Sequence, residues 1–135
     1  MKTLNSIIIV LFISLLSSPS WSETLTMDDL VERNNLYYKK FTDVPFTGEV
    51  TGFVSDDSNP LLEKGSLREG KKNGEWLTFY ENGKSVEFKL NYKDGVRDGP
   101  VEIYYYHGQL GYKSNYNDGK SEGLYEEYYG DGQLK

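Results

Sequence analysis

A ten-residue pattern recurs three times in the C-terminal half of the chain and constrains the fold more than any other feature. Each copy opens with a glycine, carries an aromatic pair and closes with a second glycine nine positions later. The copies open at Gly74, Gly99 and Gly123, so the intervals are 99 − 74 = 25 and 123 − 99 = 24 residues. A fixed period in this range indicates an array of repeats, in which each repeat is one supersecondary unit that packs on its neighbours.

Within each repeat the residues alternate as they do in a β-strand. Val86, Phe88, Leu90 and Tyr92 share one face of a predicted strand, and polar residues occupy the other face. In the next copy Leu110, Tyr112, Ser114 and Tyr116 match them, and this alternation predicts that the shared face is buried. Because glycine-marked turns separate such segments, we predict an all-β protein of tandem antiparallel hairpins that form one elongated, twisted sheet. The residues predicted to build the turns are Asn82, Gly83, Asp94, Gly95, Asp98, Gly99, Gly108, Asp118, Gly119, Gly123, Asp131 and Gly132.

The turn spacing predicts a difference between the two complete hairpins. Twelve positions separate the turn glycines of the first hairpin (95 − 83 = 12), and eleven separate those of the second (119 − 108 = 11). The extra residue falls at Lys84 or Ser85 and predicts a bulged turn around Gly83 and Lys84. If Leu110 pairs with Tyr105 in the second hairpin, Val86 should pair with Tyr80 in the first, across a loop that is one residue longer.

The first 22 residues have the features of a secretory signal. Lys2 is followed by an apolar run over residues 7–16, and small residues at Ser20 and Ser22 predict cleavage after Ser22. The alternative is an uncleaved membrane anchor, although the run is short for a hydrocarbon core of ~30 Å. We therefore predict an exported protein, periplasmic or secreted, with no stable membrane insertion after cleavage.

Three further segments follow the predicted signal peptide. Residues 23–35 form an N-terminal segment with a short helix from Met27 to Arg33, which Thr26 and Asp29 would cap. Residues 36–73 are predicted to form a degenerate capping repeat. Residues 74–135 hold the repeats, and the last one lacks most of its return strand. Either its outer edge is open, which would make it a docking site, or the sequence is truncated there.

Charge and composition narrow the range of partners. The chain lacks cysteine, which excludes disulfides and thiolate metal sites. Without its leader it would have 135 − 22 = 113 residues with 14 basic and 21 acidic side chains, a net charge of −7. This surplus of acid repels nucleic acids and anionic lipids. A protein is therefore the expected partner.

The sequence offers little for catalysis or metal binding. His107 is the sole histidine and occupies a predicted turn position. Glutamates that could act in pairs on a glycoside fall mostly at solvent-facing strand positions. The aspartates follow the turns rather than the close ligand spacing of a calcium site. We predict no catalytic residues, no cofactor and no metal ion. A hydrolase is the alternative, and it would require carboxylates that converge in a pocket.

An unusual number of aromatic residues gives the candidate binding site. Since consecutive strand residues point to opposite faces, one member of each aromatic pair would stack in the core and its neighbour would be displayed. Tyrosine at a displayed site offers a large, rigid contact area, whereas packing of both members in a hydrophobic layer is the alternative. The candidate binding stripe consists of Trp76, Tyr80, Tyr104, Tyr105, Tyr106, Tyr125, Tyr128 and Tyr129.

Five short motifs resemble a known repeat family. They are Tyr80-Glu81-Asn82-Gly83-Lys84, Tyr92-Lys93-Asp94-Gly95, Asp98-Gly99, Gly108-Gln109-Leu110 and Asp131-Gly132-Gln133-Leu134-Lys135. This unit resembles the MORN-repeat variant of bacterial proteins that is commonly labelled the YwqK-type antitoxin family. The resemblance implies a β-hairpin scaffold that holds other proteins or sometimes lipids, and an antitoxin that neutralises a toxin by binding it. The secretory leader would move such a role to the cell envelope.

Two classes of function therefore stand as expectations. The first is a non-enzymatic protein–protein interaction scaffold in the envelope, which could act as an antitoxin-like binder of a toxin or effector. The alternative is a module that binds a carbohydrate or the cell wall, since aromatic repeats with glycine turns are similar to choline-binding cell-wall repeats. Those repeats are shorter and richer in tryptophan than the repeats of this chain.

Overall fold

The computed structural model describes residues 23–54 and 61–135, so the predicted signal peptide lies outside the described residues. The all-β prediction is confirmed: the described residues form eleven strands and one 3₁₀ turn, Met27–Asp29. The strands are β1 (Thr24–Thr26), β2 (Leu30–Arg33), β3 (Leu36–Lys39), β4 (Gly48–Val54), β5 (Leu61–Arg68), β6 (Lys71–Phe79), β7 (Val86–Lys93), β8 (Val96–Arg97), β9 (Gly99–Tyr104), β10 (Leu110–Asn117) and β11 (Lys120–Glu127).

Nine strands form one open sheet in which most neighbours are joined by hairpins. The order is β1-β4-β5-β6-β7-β9-β10-β11, and β8 pairs with the end of β7. All pairings are antiparallel except that of β1 with β4. Strands β2 and β3 form a separate hairpin. The chain thus adds strands in sequence order from β4 onward.

The predicted helix from Met27 to Arg33 is wrong beyond its first turn. The Asp29 carboxylate accepts hydrogen bonds from the backbone N–H and the hydroxyl of Thr26, at 3.0 and 2.6 Å, so the capping residues act as predicted. After this turn Leu30–Arg33 pairs with Leu36–Lys39. A short helix gains little against its nucleation cost, whereas pairing with β3 satisfies the backbone of the same residues.

The opening glycine of each repeat marks a bulge. Gly74, Gly99 and Gly123 have φ of 79°, 108° and 81°, a region that glycine adopts at no steric cost. At the first bulge the register shifts between the pairs of Lys64 and Ser66. The indole of Trp76 then lies over Gly65 and donates to the Ser66 carbonyl at 3.1 Å. The glycine is therefore required by the backbone, and the large residue after it packs on the preceding strand.

The hairpin loops differ in length as predicted, but the predicted strand pairs are wrong by one residue. The Tyr80 N–H donates to Ser85 in the first loop, whereas Tyr105 donates to Gln109 in the second, so the first loop is one residue longer. Val86 pairs with Phe79 rather than Tyr80, and Leu110 pairs with Tyr104 rather than Tyr105. The register shifts next to each of these pairs.

The register shift moves a residue to the opposite face. Val86 does not share the face of Phe88, Leu90 and Tyr92, as the alternation had predicted, because one extra residue separates its pair from that of Phe88. Directly paired residues project from the same face, so Val86 lies on the face of Phe79. The residues at this bulge include no glycine or proline, so the alternation of residue types predicted the wrong face for Val86.

The two faces of the nine-stranded sheet are unequal. On the inner face, side chains of the N-terminal elements pack against the strands: Leu25, Leu30 and Phe46 join Val50, Leu67 and Trp76 in one core cluster. The register places every buried position of strands β4 to β10 among the described residues on this face: Gly48, Val50, Gly65, Leu67, Trp76, Thr78, Val101 and Ser114. The described side chains of the outer face are all half-buried or exposed.

Candidate binding surface

An apolar row crosses the outer face from one strand to the next. Phe79 pairs with Leu62 on one side and Val86 on the other, and Tyr104 pairs with Leu110. In the last repeat Tyr128 pairs with Leu134 in the same way. We call these residues the outer row: Leu62, Phe79, Val86, Tyr104, Leu110, Tyr128 and Leu134. Direct cross-strand partners lie side by side, and Val86 and Tyr104 line the same cleft, so the row crosses the sheet from β5 to β10. The Tyr128–Leu134 pair follows just beyond β11.

A ladder of charges runs beside the outer row. The ammonium of Lys89 lies 3.0 Å from Glu75 and 3.9 Å from Glu102, and that of Lys113 lies 4.0 Å from Glu102. The hydrogen bond and the charge of Glu75 raise the pKa of Lys89 above its usual value. Each lysine thus faces carboxylates of the same sheet. The border of the row consists of charges that are already paired.

The two tyrosines of the outer row are also tied to this ladder. The Tyr104 hydroxyl donates to Glu102 at 2.8 Å, and the Tyr128 hydroxyl donates to Glu126 at 2.6 Å. Burial, followed by the bond to Glu102, raises the pKa of Tyr104. For Tyr128 the bond to Glu126 is the main cause that raises its pKa. Both phenols therefore stay protonated at neutral pH, and their rings are held in defined positions.

A shallow cleft lies between β6, β7 and β9 on this face. Its volume is about 410 Å³, and Leu77, Val86 and Tyr104 provide its apolar surface. Glu75 and Lys89 form its charged side. A cleft with an apolar floor and a few polar groups at its side is the usual form of a site that receives a side chain or a small group.

The eight residues of the predicted binding stripe do not share one surface. Trp76 is 3% exposed and lies on the inner face, whereas Tyr104 and Tyr128 lie on the outer face. Tyr106, Tyr125 and Tyr129 are exposed. The sequence argument missed the aliphatic residues of the outer row, Leu62, Val86, Leu110 and Leu134, and it assigned Val86 and Leu110 to the core face. No local sequence signal marks the shift at Val86.

The remaining two tyrosines of the predicted stripe connect successive hairpins. The Tyr80 hydroxyl donates to the carbonyl of Tyr104 at 2.6 Å, and the Tyr105 hydroxyl donates to the carbonyl of Tyr128 at 2.8 Å. Tyr80 also meets the ring of Tyr106 edge to face, with centroids 5.3 Å apart. These contacts recur at the repeat period, so Tyr80 and Tyr105 fix the hairpin loops to one another.

The predicted turn residues occupy three kinds of position. Asp94-Gly95 and Asp118-Gly119 form two-residue turns, and the glycine N–H groups donate to the carbonyls of Lys72 and Arg97 in the preceding hairpins. Asp98 lies between β8 and β9, and Gly99 and Gly123 lie in strands, at bulges. The residues in the long hairpin loops are Asn82, Gly83, Gly108, Asp131 and Gly132.

The sole histidine of the chain contacts the neighbouring hairpin. His107 is exposed, its Nε2 lies 2.8 Å from the Gly130 carbonyl, and its ring stacks on Tyr105. Within residues 23–54 and 61–135, no three His, Cys, Asp or Glu side chains are grouped as a metal ion would require. No helix in the described part of the chain has the length and apolar character needed to cross a membrane.

The outermost strand, β11, is exposed along its whole length. Leu124 is 95% exposed, Tyr125 64% and Leu134 63%. With Glu126, Glu127 and Lys135 these residues line a groove of about 690 Å³. No strand among the described residues pairs with the outer side of β11 between Lys120 and Glu126. An apolar groove thus lies at this edge, and it shares Leu134 with the outer row.

Comparison with known proteins found none that is similar to this chain. The chain matches no family model, no curated protein and no solved structure.

Proposed function

We propose that this protein is a non-enzymatic interaction scaffold, exported to the periplasm or secreted, that binds another protein on the outer face of its sheet. An antitoxin-like role, in which the bound partner is a toxin or effector, fits such a scaffold. The single observation that supports the proposal is the inequality of the two faces. Every buried position of β4 to β10 for which the structure describes the side chain lies on the inner face, while the apolar outer row is half-buried or exposed.

The composition of the outer face suits a protein partner. Exposed apolar surface rimmed by polar groups is typical of interaction sites. The tyrosines offer large contact areas, and their hydroxyls are held by Glu102 and Glu126, so little side-chain freedom is lost on binding. The paired charges of Lys89 and Lys113 add no uncompensated charge to a buried contact.

The proposal is tested by affinity capture from envelope extract, with the chain Glu23–Lys135 as bait and mass spectrometry as the readout. A bait with Leu77→Thr and Val86→Thr keeps residues that favour strands but loses the apolar floor of the cleft. The control bait is Val31→Thr, which makes the same kind of change at an exposed apolar position of β2, outside the nine-stranded sheet. We expect one stoichiometric protein on the wild-type and control baits and at least a tenfold loss on the double variant.

Two outcomes of this capture would count against the proposal. Equal capture by the double variant, with an unchanged circular dichroism spectrum and melting temperature, would exclude the outer face as the binding surface. Absence of any stoichiometric protein from all baits would argue against a protein scaffold altogether. If a protein is captured, its own activity measured with rising amounts of the scaffold tests the antitoxin role, which predicts complete inhibition at equimolar ratio.

One observation favours the carbohydrate alternative. Phe79, Tyr104 and Tyr128 occupy equivalent positions of successive hairpins on the outer face, two strands apart. With strands ~4.8 Å apart the side chains recur about every 10 Å, which gives a regular aromatic series along which sugar rings could stack. Sedimentation with purified peptidoglycan tests this candidate. Retention of the wild type and loss with Tyr104→Ser would support it, and failure of the wild type to sediment would remove it.

A further inference from the structure

The outer row alternates aliphatic and aromatic side chains from one strand to the next. The aliphatic residues are Leu62, Val86 and Leu110 on β5, β7 and β10, and the aromatic ones are Phe79 on β6, Tyr104 on β9 and Tyr128 just beyond β11. These strands are successive neighbours in the sheet. With strands ~4.8 Å apart, one ring follows the next after about 10 Å, and an aliphatic side chain lies in each interval.

The two tyrosine rings of the row lie along the chain rather than straight out from the sheet. The hydroxyl of Tyr104 reaches Glu102 and that of Tyr128 reaches Glu126, in each case two residues earlier. Two residues of an extended chain span about 6.6 Å, so a phenol that makes this bond must lean along its own strand. The rings therefore form ridges parallel to the strands, with troughs over the aliphatic residues. The cleft of about 410 Å³ that Val86 and Tyr104 line is one such trough.

The polar groups beside the row are bonded to one another. Glu102 accepts from the Tyr104 hydroxyl and has the ammonium groups of Lys89 and Lys113 within 4.0 Å. Lys89 also lies 3.0 Å from Glu75. A ligand rich in hydroxyl groups, such as a sugar, needs hydrogen-bond partners where it is buried, and these groups already have theirs. An apolar ligand needs no such partners, so the row suits it better.

We propose that the outer row is a docking site for a proline-rich segment of the partner protein, which lies across the strands as a polyproline II helix. This inference rests on the proposed function, because it names how the protein partner is recognised. A polyproline II helix has three residues per turn and rises ~3.1 Å per residue, so side chains on one side recur about every 9.3 Å, close to the ring spacing of the row. Segments of this kind dock on surfaces lined by aromatic rings.

The charges that border the row favour an uncharged segment. The bordering charged residues are Lys64, Glu75, Lys89, Glu102, Lys113 and Glu126. They are three lysines and three glutamates, so the border has no net charge, and a charged segment would meet like charges as often as opposite ones. Prolines with aliphatic residues between them avoid this conflict. Their aliphatic side chains would enter the troughs over Val86 and Leu110.

A second copy of this chain does not fit the row in the same way. The chain has four prolines, Pro19, Pro45, Pro60 and Pro100, and no two of them lie within one turn of a polyproline II helix. The occupant is therefore a segment of another protein. About seven residues would pass over all three rings.

A synthetic peptide of four Leu-Pro-Pro repeats with a fluorescent label is the probe for this site. Its leucines lie on one side of the polyproline II helix at the period of the troughs. The control peptide has the same composition, but its four leucines are consecutive. Anisotropy titration into the chain Glu23–Lys135 should show saturable binding of the repeat peptide and binding of the control peptide that is weaker by about fivefold or more.

The matched change in the protein removes the central ring. Tyr104→Thr keeps a residue that favours strands and should weaken binding of the repeat peptide by about tenfold. Tyr104→Leu serves the same purpose if the threonine variant does not fold. The control is Tyr38→Thr, at a half-buried tyrosine of β3 outside the nine-stranded sheet, and it should bind as the wild type does. Equal binding of both peptides, equal binding by a folded Tyr104 variant, or no binding at millimolar peptide would each overturn the proposal.

A competition experiment separates this proposal from the proposed function. The repeat peptide is added in excess to the affinity capture, and displacement of the captured protein supports docking of a proline-rich segment. If the Leu77→Thr/Val86→Thr bait loses a protein that the wild type captures, but the peptide neither binds nor competes, the proline-rich segment is wrong and the scaffold function stands. If no bait captures a protein, while peptidoglycan retains the wild type and not Tyr104→Thr, the row binds a glycan and both proposals fail.

Discussion

At β5 and β6 the indole of Trp76 lies over Gly65 and is 3% exposed, whereas at β10 and β11 the ring of Tyr125, which follows the equivalent bulge opposite Ser114, is 64% exposed. The backbone is the same at both sites, since Gly74 and Gly123 have φ of 79° and 81°. The difference is that the N-terminal elements cover the inner face near Trp76. A repeat therefore specifies strand geometry, while its neighbours decide what is buried.

The lysine contacts at the covered end are shorter than those at the other end, where the Lys135 ammonium lies 5.5 Å from the centre of the Tyr129 ring and 3.9 Å from the Glu127 carboxylate. The Lys72 ammonium lies 4.0 Å from the centre of the Trp76 ring and 3.1 Å from the Glu63 carboxylate. The phenol of Tyr37 lies near Glu32 and Glu63, and burial together with these carboxylates raises the pKa of Tyr37 to about 12. Tyr125 instead stacks on Tyr112, with ring centroids 5.8 Å apart. Stability should therefore be concentrated at the N-terminal end of the sheet.

The largest expected effect separates the two aromatic residues directly. Trp76→Ala removes a buried ring and its bond to the Ser66 carbonyl, so it should lower the free energy of unfolding by about 3–5 kcal/mol. Tyr125→Ala removes an exposed ring and should cost less than about 1 kcal/mol. Urea denaturation of the chain Glu23–Lys135 measures both values. Equal costs would show that the two ends are packed alike.

Alanine substitutions at Gly65, which faces Trp76, and at Ser114, which faces the bulge before Tyr125, should change the free energy of unfolding differently. A Cβ on Gly65 would lie 2.4–2.7 Å from atoms of the Trp76 ring, so Gly65→Ala should cost about 1–3 kcal/mol through displacement of the indole. The buried Ser114 hydroxyl has no hydrogen-bond partner among the described residues. Ser114→Ala should therefore leave stability unchanged or raise it by up to about 1 kcal/mol.

Urea denaturation also measures the effects of Gly65→Ala and Ser114→Ala. A loss of more than about 1 kcal/mol in Ser114→Ala would mean that the hydroxyl has a partner and that the C-terminal end is packed more specifically than the exposure of Tyr125 indicates.

The contrast between local strand geometry and burial by neighbouring elements also explains which features of the fold the sequence could predict. The period, the hairpins and the longer first loop could be read from glycine spacing, because turns and bulges depend on local backbone chemistry. The register next to Val86 could not, since the shift there involves no glycine or proline. The segment from Leu30 to Arg33 was also misjudged, because its partner strand, not its own propensity, decides its structure.

Burial by neighbouring elements and register shifts at bulges also explain the errors in the predicted binding site. Trp76 was assigned to a binding stripe because its type fits one, but burial by the N-terminal elements cannot be read from the repeat. Leu110 was assigned to the core because alternation was continued through a bulge. Tyr104 and Tyr128 were named with the other aromatic residues of the repeats, and the structure places both on the outer face.

If the successive hairpins differ only in burial, substitution of their equivalent loop glycines should lower the free energy of unfolding by equal amounts. Gly83 and Gly108 have φ of 63° and 88°, and a Cβ at either would meet nothing closer than a Leu62 methyl at 3.8 Å. Gly83→Val and Gly108→Val should each cost about 1–3 kcal/mol, from backbone strain rather than from a clash. Thermal melts of the two variants measured side by side test this. An unchanged melting temperature for Gly83→Val would reject the assigned loop conformation.

The smallest effect concerns the ion pair that joins the end of β5 to the turn between β7 and β8. Arg68 Nη2 lies 2.5 Å from the Asp94 carboxylate, and this bond holds the pKa of Asp94 below its ordinary 3.8. Because the folded pKa is below the unfolded one, the stabilisation is present above about pH 3.8 and is lost as the pH falls through the folded pKa. Asp94→Asn should therefore lower the melting temperature slightly at pH 7, and this difference should vanish in acid.

Arg68→Gln is the matched variant, because it removes the other partner of the same bond. It should reproduce the small loss at pH 7, and the double variant should lose no more than either single variant. Both groups are largely exposed, so added salt should shrink the difference as well. Additive losses, or a difference that persists at low pH and high salt, would mean that Asp94 acts through the conformation of its turn, where its φ is 50°. The turn of this hairpin would then depend on the local chemistry of each repeat, as the bulges do, and not on the neighbouring strand.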